Sequence, residues 1–582
     1  MLGAAAIVVL VFAMRGFPLG VPVADDFAFL ARLAFQHPLD PFDSMGATYY
    51  WRPVSRQLYF SLLGLRVIDS PGTATTIHLL ILLGTYVLIY RMARRGFSGP
   101  AAAAIASFPL LSEAARALVT WPSGAQHLLA GFFAVLTLHE ALAGRWLTAF
   151  PAGLAASLSH ETGFLAVLAV PVVAFFRKPG ASRASRFMPL LGVAAVALVW
   201  WQGYSAANRH GVLLPRPPEG PSPLFKLPTL VGLGVQSALN LEDVTVLAGA
   251  ILWTLYAALF AYALSRLRQP EARARVRAVA PALLIGGGLF LAGALSLTWL
   301  LPDWNAWRAW MPALALGLTL TVFLAAVSPG MALAFAGFRL LALLVAMPGP
   351  PVVLDEAPRT VSHMSFPRLV RLQRVVESTR RELARAYPRL GPGSVVRYWQ
   401  LPLLAEVGFA DSLAIPVWYR DRSVSWASAS GEDIVRLRTD ALVVYTRNAP
   451  LPAIAADPAT VEIYRRAGRA HIEERYAEAE SLYVRALSAG RWRSPLHGII
   501  ANSLARLRLG RGDLDGAIAF VDTAAANGVD DGDFWETCAL IALASGDSAG
   551  AEQAARKSLE ADPHSYAANQ ILSDLRRAGF RR

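Results

Sequence analysis

The chain has 582 residues, of which 55% are hydrophobic and only 16% are charged, and its mean hydropathy is +0.42. These values differ from those of soluble globular proteins and predict a membrane protein. The single cysteine, Cys538, excludes an intrachain disulfide and a multi-cysteine metal site. The formal net charge is +13, but no nucleic-acid recognition motif accompanies it, so we predict no nucleic-acid partner.

The apolar residues are unevenly distributed along the chain. Residues 1–347 consist of long apolar runs with short breaks, whereas residues 350–582 are rich in charge. Apolar runs of this kind cross a bilayer as helices, because only helices and closed barrels satisfy their backbone groups in lipid. We predict about eleven spans, near residues 2–14, 74–90, 98–111, 125–142, 147–158, 163–176, 187–204, 245–265, 278–300, 311–327 and 331–347.

The first apolar segment has the position of a signal peptide. It lacks a basic n-region, however, and it is followed by Gly16, Phe17 and Pro18, which do not form a small-residue cleavage site. We therefore predict that this segment remains in the protein as a span.

Arginine and lysine residues cluster in alternate loops between the predicted spans. The clusters are Arg91, Arg94 and Arg95, then Arg177, Lys178, Arg183 and Arg186, then Arg266, Arg268, Arg273, Arg275 and Arg277. Because cytoplasmic loops carry the excess of positive charge, these loops are predicted to be cytoplasmic. The loops on the other side are then 15–73, 112–124, 159–162, 205–244 and 301–310, and the C-terminal region follows them there.

Two adjacent carboxylates, Asp25 and Asp26, follow the first apolar segment. Ionised side chains beside lipid are costly and tend to be kept for function, so this pair is the strongest indication of chemistry in the sequence. Either carboxylate can serve as a general base. The structural alternative is an exposed turn or a helix cap, where aspartate is also favoured.

The same predicted outer loop contains the segment Tyr50-Trp51-Arg52-Pro53-Val54 and continues to Arg56. Pro53 suits the first turn of a helix, which places Arg52 near its start and Arg56 about one turn later. Two guanidinium groups in this arrangement can clamp a phosphate. The alternative is that both arginines extend toward lipid headgroups from a helix end.

Two further polar breaks lie on the same predicted side of the membrane. The first contains His160 and Glu161, and because an isolated carboxylate facing lipid is strongly disfavoured, Glu161 must be solvated, paired or functional. The second, residues 302–310, places Arg308 among tryptophans. For these tryptophans we favour an aromatic belt at the membrane interface over stacking on a sugar.

In their order and spacing, these elements resemble the GT-C class of integral-membrane glycosyltransferases. The elements are the acidic pair, the aromatic-Arg-Pro segment leading to a span headed by His78, the His160-Glu161 break and the segment Trp307-Arg308-Ala309-Trp310-Met311-Pro312. The resemblance covers about residues 1–347. It is greatest to protein O-mannosyltransferase relatives that carry C-terminal tetratricopeptide repeats. It implies a polyprenyl-phosphate sugar donor and transfer on the non-cytoplasmic side. Where family members often carry lysine, this chain has His160, which is only partly charged near neutral pH.

Inverting sugar transfer from a lipid phosphate requires a carboxylate base and cations that stabilise the departing phosphate. We predict Asp25 or Asp26 as the base. The predicted substrate- and phosphate-binding residues are Arg52, Arg56, His78, His160, Glu161 and Arg308. Alternatively, Asp26 and Glu161 hold a divalent metal such as Mg or Mn through their oxygens, and this metal serves the leaving phosphate.

Residues 350–455 are predicted to form a small extracytoplasmic α/β domain. A charged amphipathic helix is expected over 366–387, ending before Pro388. Strands are expected over 394–399 and 441–445, with a helix over 402–409 between them. We find no phosphate loop, nucleophile elbow or metal-ligand cluster in this sequence.

Residues 460–582 are predicted to form an α-solenoid of tetratricopeptide repeats. The segment Gly512 to Ala517 recurs 34 residues later as Gly546 to Ala551, and an earlier copy runs from Glu474 to Ala479. Pro563 follows the last repeat. A solenoid of about three copies either binds a protein partner on its concave face or only caps and stabilises the outer domain.

The sequence thus predicts a mainly α-helical protein with a polytopic transmembrane domain, a small α/β segment and a helical-repeat tail. We predict a membrane glycosyltransferase that moves a sugar from a polyprenyl-phosphate donor to a protein or glycan acceptor. Arginine-rich, lysine-poor usage is typical of a high-GC bacterium. We predict that the protein lies in the bacterial inner (cytoplasmic) membrane, with the C-terminal region extracytoplasmic.

The alternative from a different class is a non-catalytic membrane scaffold for cell-envelope assembly, in which the repeats recruit partners. A transporter is a weaker alternative, because the membrane half shows no paired broken helices and no internal repeat.

Overall fold

The computed structural model describes most of residues 19–577 and, before them, only residues 3, 7, 8, 10 and 14. The gaps are 37–39, 43–49, 178–182, 210–222, 243, 299–306, 346–365, 402–404, 430, 446–452, 490–493 and 562–564. The chain forms two compact units. Met1–Pro351 and Arg359–Gln373 make the first, and Val352–Pro358 and Arg374–Arg582 make the second.

The described part of the first unit is built from helices and short helical turns. The α-helices are Asp25–Phe35, Tyr59–Leu63, Arg66–Asp69, Gly72–Ala93, Gly99–Ala106, Glu113–Thr120, Ala125–Ala143, Trp146–Ser159, Phe164–Arg177, Arg183–Arg209, Pro223–Ala238, Val246–Arg266, Pro270–Ala278, Ala280–Ser296, Trp310–Val327 and Pro329–Val345. A π-helical turn covers Val54–Leu58, and 3₁₀ turns cover Pro122–Gly124 and Glu161–Gly163.

A helix lies at each predicted span position after the first, which falls mostly outside the described residues. Four described helices are long and apolar enough to cross a membrane, and they are Gly72–Ala93, Met188–Arg209, Val246–Arg266 and Trp310–Val327. The pair Pro270–Ala278 and Ala280–Ser296, bent by 59°, supplies a fifth if it is one span. The predicted count of about eleven spans therefore stays a prediction.

The predicted span 98–111 is helical only over Gly99–Ala106. Pro109 ends the helix, because proline lacks an N–H group and disfavours helical backbone in the residue before it. A helix of 8 residues is about 12 Å long, whereas the hydrocarbon core is about 30 Å thick. This segment is therefore not a single spanning helix.

Apolar side chains cover the outer surfaces of the long helices. Leu80, Met188, Leu264 and Leu284, on four different helices, are each more than half exposed. Large exposed apolar surfaces are unfavourable in water and suit a surface that faces lipid. The first unit therefore has the helices of an integral membrane protein.

A cluster of buried polar residues joins helices of the first unit. Arg339 donates from Nε to the Ala238 carbonyl (3.0 Å) and from Nη1 to the Phe108 carbonyl (2.9 Å). Asn240 donates to the Arg339 carbonyl (3.1 Å) and accepts the backbone N–H of Glu113 (2.9 Å). The Ala238 carbonyl lies at a helix end and the Phe108 carbonyl just beyond another, so neither has a partner within its own helix. The Arg339 side chain satisfies both carbonyls and fixes the helices to one another.

The second unit contains a four-stranded sheet. Its strands are β1 Val395–Trp399, β2 Ser425–Ser428, β3 Ala441–Tyr445 and β4 Ala453–Ala455, in the order β2-β1-β3-β4. β1 is parallel to β2 and β3, and β4 is antiparallel to β3. Parallel pairing requires crossover connections. These connections contain the 3₁₀ turn Ala405–Phe409 and the helices Ala414–Tyr419 and Gly431–Arg436.

The predicted strands over 394–399 and 441–445 are confirmed as β1 and β3, and the predicted helix over 366–387 is confirmed as Phe366–Ala386. All five residues of β3 are buried, which explains its continuous apolar pattern. The strands β2 and β4 consist mainly of alanine and serine, so neither carries the β-branched alternation by which strands are predicted.

The C-terminal part of the second unit is a series of helices in which consecutive members pack together. They are Pro458–Ile472, Tyr476–Ala489, Pro495–Gly510, Leu514–Ala526, Gly532–Ala544, Ser548–Ala561 and Tyr566–Arg577. Alanine side chains such as Ala486, Ala501 and Ala524 are buried between them. Small residues at these positions let paired helices approach closely.

The sequence repeat corresponds to a repeated turn between helices. Gly512 and Gly546 have positive φ angles of 78° and 79°, which end the first helix of each pair. Asp513 and Asp547 then cap the next helix by accepting backbone N–H groups three residues later (3.0 and 2.9 Å). In the earlier copy, Glu474 adopts the positive φ angle. The assignment of these helices to tetratricopeptide repeats stays a prediction.

Substitution of Arg339 by lysine tests the buried polar cluster. A lysine ammonium cannot reproduce the contacts of the guanidinium with the Ala238 and Phe108 carbonyl oxygens. Arg339→Lys is therefore expected to reduce stability by about 2 kcal/mol. Thermal unfolding of the detergent-solubilised protein measures the loss. Arg145→Lys is the matched control, because the Arg145 side chain is 64% exposed. Equal melting temperatures for both variants would contradict the structural role of Arg339.

Candidate functional site

The two adjacent carboxylates have different environments. Both begin the helix Asp25–Phe35, where Asp25 is exposed and Asp26 is completely buried. Asp26 Oδ2 accepts the Val23 N–H (2.8 Å), and Oδ1 accepts the Ser123 N–H (2.8 Å) and the Ser123 hydroxyl. Both oxygens of Asp26 are therefore occupied, whereas the Asp25 carboxylate is accessible.

The backbone on both sides of these hydrogen bonds is tightly constrained. Ala24, directly before the pair, has a φ of 52°, a value that residues other than glycine rarely adopt. Ser123 lies in the turn Pro122–Gly124, where a Cβ on Gly124 would come within 2.2 Å of the Leu118 carbonyl oxygen. Strained backbone of this kind is concentrated at functional sites.

Burial raises the pKa of Asp26 to about 8, against the hydrogen bonds from Ser123 and Val23, which lower it. The charge of Asp25 adds a smaller upward shift in the pKa. A pKa in this range means that Asp26 changes its protonation state close to physiological pH.

Arg52 and Glu161 form an ion pair, although 109 residues separate them. Arg52 Nε contacts both carboxylate oxygens of Glu161 (3.0 and 3.1 Å), and Nη2 contacts Oε2 (2.6 Å). Nη1 donates to Gln126 Oε1 (2.7 Å), and the guanidinium lies 4.3 Å from the centre of the Tyr50 ring. Burial raises the pKa of Glu161, but the charge and hydrogen bonds of Arg52 outweigh it, so the pKa is lowered and Glu161 is ionised.

Arg56 interacts electrostatically with both Asp25 and this ion pair. Its side chain is buried, its Nη1 donates to the Tyr50 carbonyl (2.7 Å), and its guanidinium lies 5.2 Å from the centre of the Phe29 ring. Burial and the charge of Arg52 lower the pKa of Arg56 to about 9, whereas the charges of Glu161 and Asp25 raise it. Arg56 is therefore charged at neutral pH and within electrostatic reach of both Asp25 and Glu161.

Histidine and tryptophan rings pack together around His127, and one of them, His160, is next to Glu161 in the sequence. The His160 ring lies 4.4 Å from that of His127, and the Trp307 ring meets His127 edge-on at 5.2 Å. The Arg308 guanidinium lies 5.1 Å from the centre of the Trp307 ring, and the charges of Arg52, Glu161 and Arg308 all act on His127. The structure thus brings Arg308 to the same site.

Burial lowers the pKa of His160 well below its ordinary value, and the charges of Arg52 and Arg56 lower it further. His160 Nδ1 is within hydrogen-bond distance of the Thr162 hydroxyl (2.9 Å) and N–H (3.3 Å). His160 is therefore neutral at physiological pH. It lies beside His127, but it adds no fixed positive charge for a phosphate.

His78 has its own hydrogen-bond partners within the protein. It is completely buried, its Nε2 is hydrogen-bonded to the Tyr59 hydroxyl (2.7 Å), and its Nδ1 is 3.3 Å from the Val119 carbonyl. With both ring nitrogens occupied by protein groups, this histidine has no face for a substrate. We therefore exclude His78 from the proposed phosphate-binding residues.

The predicted metal ligands do not fit a metal ion. Both oxygens of Asp26 accept hydrogen bonds from Val23 and Ser123, and both oxygens of Glu161 contact Arg52. A cation would have to displace the guanidinium to reach Glu161. Within the described ranges, no group of three or more histidine, cysteine, aspartate or glutamate side chains is arranged to hold a metal.

Three site residues are absent from the predicted set, and all of them lie between Trp121 and the first turn of the helix Ala125–Ala143. They are Ser123, Gln126 and His127. Polar residues at the head of an apolar run, after a Trp-Pro turn, are the signal in the sequence that indicates them. The pattern does not specify their partners, because those lie 74 and 97 residues away.

An apolar cavity of about 510 Å³ lies among the helices of the first unit. Its lining includes Leu138, Val173, Ile285 and Leu318, and Arg177 is the only charged residue among the described residues that line it. None of the candidate site residues lines this cavity. It can hold hydrocarbon, but it is separate from the acidic pair and the ion pair.

No protein-family model matches the sequence, and no curated protein matches it significantly. Two solved structures are similar at 14% identity. One is ArnT from Cupriavidus metallidurans bound to undecaprenyl phosphate, covering 72% of this chain and 84% of that chain with a TM-score of 0.42. The other is the Archaeoglobus fulgidus oligosaccharyltransferase in complex with Zn and sulfate, covering 76% and 68% with a TM-score of 0.33. Likenesses this distant assign neither a family nor an activity to the chain.

The raised pKa of Asp26 predicts a pH dependence of stability. Between about pH 4 and about pH 8 the folded protein retains a proton on Asp26 that the unfolded chain releases. Stability is therefore expected to fall as pH rises through this window, by up to about 1.4 kcal/mol per pH unit. Asp26→Asn removes the slope, and thermal unfolding in detergent at several pH values measures it.

Asp25→Asn is the control for this experiment, because it makes the same chemical change at the exposed neighbour. This variant should keep a downward slope, over a slightly narrower pH range, because it removes the smaller upward shift that the Asp25 charge adds to the pKa of Asp26. Parallel curves for the wild type and Asp26→Asn would show that Asp26 is ionised throughout the range.

Proposed function

We propose that this protein is an inverting membrane glycosyltransferase. It moves a sugar from a polyprenyl-phosphate donor to a hydroxyl group of a protein or glycan acceptor on the extracytoplasmic side of a bacterial inner membrane. The observation that supports this function best is the Arg52–Glu161 ion pair, together with the buried Arg56, whose pKa is affected by the charges of both Glu161 and Asp25. These interactions support a site that combines a base with cations for a phosphate leaving group.

Asp25 is the base in this mechanism. A general base must reach the proton that it removes, and the exposed carboxylate of Asp25 can do so. Asp26 is completely buried and its oxygens are occupied by Val23 and Ser123, so it holds the segment in place. The difference in burial between the two acids supports Asp25, and not Asp26, as the base.

The cations receive the phosphate. Arg52, Arg56 and Arg308 carry three positive charges, and Asp25 and Glu161 carry two negative charges, which leaves one positive charge for a phosphodiester. Arg52 retains N–H groups beyond those that contact Glu161 and Gln126, because a guanidinium has five donors. Preorganised donors of this kind stabilise the charge that develops on a leaving phosphate.

The transfer step balances without a further reactant. The acceptor hydroxyl gives its proton to Asp25, and its oxygen forms a bond to the anomeric carbon of the donor sugar. The bond between this carbon and the phosphate oxygen breaks, and its electron pair remains on the phosphate. Glu161 keeps Arg52 oriented while the phosphate charge increases.

The finer assignment, a protein O-mannosyltransferase-like enzyme with a tetratricopeptide-repeat tail, is part of this proposal. The repeated helix-turn-helix pairs after Pro458 support the assignment of the tail, since the turns recur with the 34-residue period of the sequence. Their exposed surfaces can bind a protein partner. The same surfaces also suit the non-catalytic scaffold, which is the second candidate function.

Replacement of Asp25 by asparagine distinguishes the enzyme from the scaffold. Without its base, the protein should lose sugar transfer by roughly 100- to 10,000-fold. Membranes that contain the protein are incubated with a polyprenyl-phosphate hexose labelled in the sugar. Label that enters protein and glycan fractions is then counted, at equal protein amounts.

Asp69→Asn is the matched control, because Asp69 is another exposed acid of the same predicted outer loop. It should transfer label at the wild-type rate. If Asp25→Asn also transfers label at that rate, or if the wild type transfers none from any polyprenyl-phosphate sugar, the scaffold is the better description.

Arg52→Lys tests the phosphate-binding role of the ion pair. A lysine retains the charge but cannot contact both oxygens of Glu161 and the amide of Gln126 together, so kcat/KM should fall by roughly 10- to 100-fold. The labelled-donor assay measures this change. Arg66→Lys, at an exposed arginine nearby in the sequence, is the control and should have no effect. An unchanged kcat/KM for Arg52→Lys would remove Arg52 from the site.

A further inference from the structure

Gln373 lies on the helix Phe366–Ala386, more than 200 residues after the other residues that surround Asp26. Its side chain is completely buried. Its amide nitrogen donates to the Val21 carbonyl (2.9 Å) and to the Thr120 carbonyl (2.6 Å). One side chain thereby joins two segments that are distant in the sequence.

These two segments are the ones that supply the hydrogen bonds of Asp26. Val21 is two residues before Val23, whose N–H contacts Asp26, and Thr120 is three residues before Ser123, whose N–H and hydroxyl contact it. The Thr120 carbonyl also accepts the Gly20 N–H (2.9 Å). The amide of Gln373 therefore joins these two segments within three residues of the groups that bind Asp26.

The chemistry of the position requires a donor. Both neighbouring groups are carbonyl oxygens, so only the NH₂ end of the glutamine amide can face them. Gln373 Oε1 is buried and accepts no hydrogen bond from any residue within the described ranges. Burying an unsatisfied acceptor is costly, which indicates that the two bonds from the NH₂ group are the reason for a polar residue here.

We propose that Gln373 is a positioning residue for the acidic pair. It touches neither carboxylate. It fixes residues 21–23 and 120–123. These two segments hold Asp26. Because Asp25 and Asp26 begin the same helix, the position of Asp26 sets the direction of Asp25. This inference rests on the proposed function only where it concerns turnover, because the effect on the two segments is independent of the reaction.

The proposal predicts a specific kinetic effect. Arg52 contacts Glu161 and Gln126, whereas the amide of Gln373 contacts Val21 and Thr120, so donor binding should persist without Gln373. Misplacing the base should lower kcat by roughly 10- to 100-fold while the KM for the donor stays within about twofold. A general loss of folded protein would instead lower activity in proportion to the folded fraction.

Gln373→Glu is the sharpest variant, because it keeps the shape of the side chain and puts an acceptor against two carbonyl oxygens. Gln373→Met, of similar size and without a charge, keeps the test decisive if the glutamate variant does not fold. Gln553→Glu makes the same chemical change at an exposed position of the helix Ser548–Ala561 and is the control.

Hydrogen exchange of the backbone amides provides a readout that does not depend on activity. The amides of Val23 and Ser123 donate to Asp26 and should be protected in the wild type and in Gln553→Glu. They should exchange roughly tenfold faster or more in the Gln373 variants, while the remaining helices keep their protection. Unchanged protection of both amides in Gln373→Glu or Gln373→Met would overturn the proposal.

The two proposals fail in different ways. If Asp25→Asn abolishes transfer and the Gln373 variants retain the wild-type kcat, the positioning role is wrong and the proposed function stands. If the wild type transfers no sugar but the Gln373 variants show faster exchange at Val23 and Ser123, the proposed function is wrong and Gln373 still holds these segments.

Discussion

The hydrogen bonding of Asp26 is the constraint on which the site depends. Three donors from Val23 and Ser123 bind its two oxygens and join the start of the helix Asp25–Phe35 to a turn 97 residues later. Successive side chains of a helix diverge by about 100°. With Asp26 directed into the protein, its neighbour Asp25 must point elsewhere, and it is exposed. One buried acid thus orients an accessible one.

The strain at Ala24 is consistent with this constraint. A positive φ angle at an alanine costs free energy of order 1 kcal/mol or more, and it persists only where the surroundings fix the backbone. Here the fixing bonds are those from Val23 and Ser123 to Asp26 and those from Gln373 to Val21 and Thr120. The helix therefore begins at Asp25 in a direction that its local sequence alone does not favour.

Sequence patterns identify the local elements of this protein and the types of residue that form the site. Pro53 predicts the helical turn that carries Arg52 and Arg56, and the 34-residue repeat predicts the turns at Gly512 and Gly546. Long-range partners are beyond such patterns. Periodicity cannot distinguish Asp25 from Asp26, nor place His78 in the core, because burial by distant segments decides both. For the same reason the donors Ser123 and Gln373 and the acceptor Gln126 are visible only in three dimensions.

Two of the buried arginines of the first unit, Arg339 and Arg52, show how a structural cation differs from one that can bind a ligand. Arg339 donates to backbone carbonyls of Ala238 and Phe108, which are uncharged and cannot leave. Arg52 instead contacts Glu161, whose side chain is 34% exposed. An anion that enters beside a partly exposed carboxylate can share the guanidinium, whereas no anion can replace a carbonyl at a helix end. The partner of each arginine, and not its burial, therefore decides whether it can take part in chemistry.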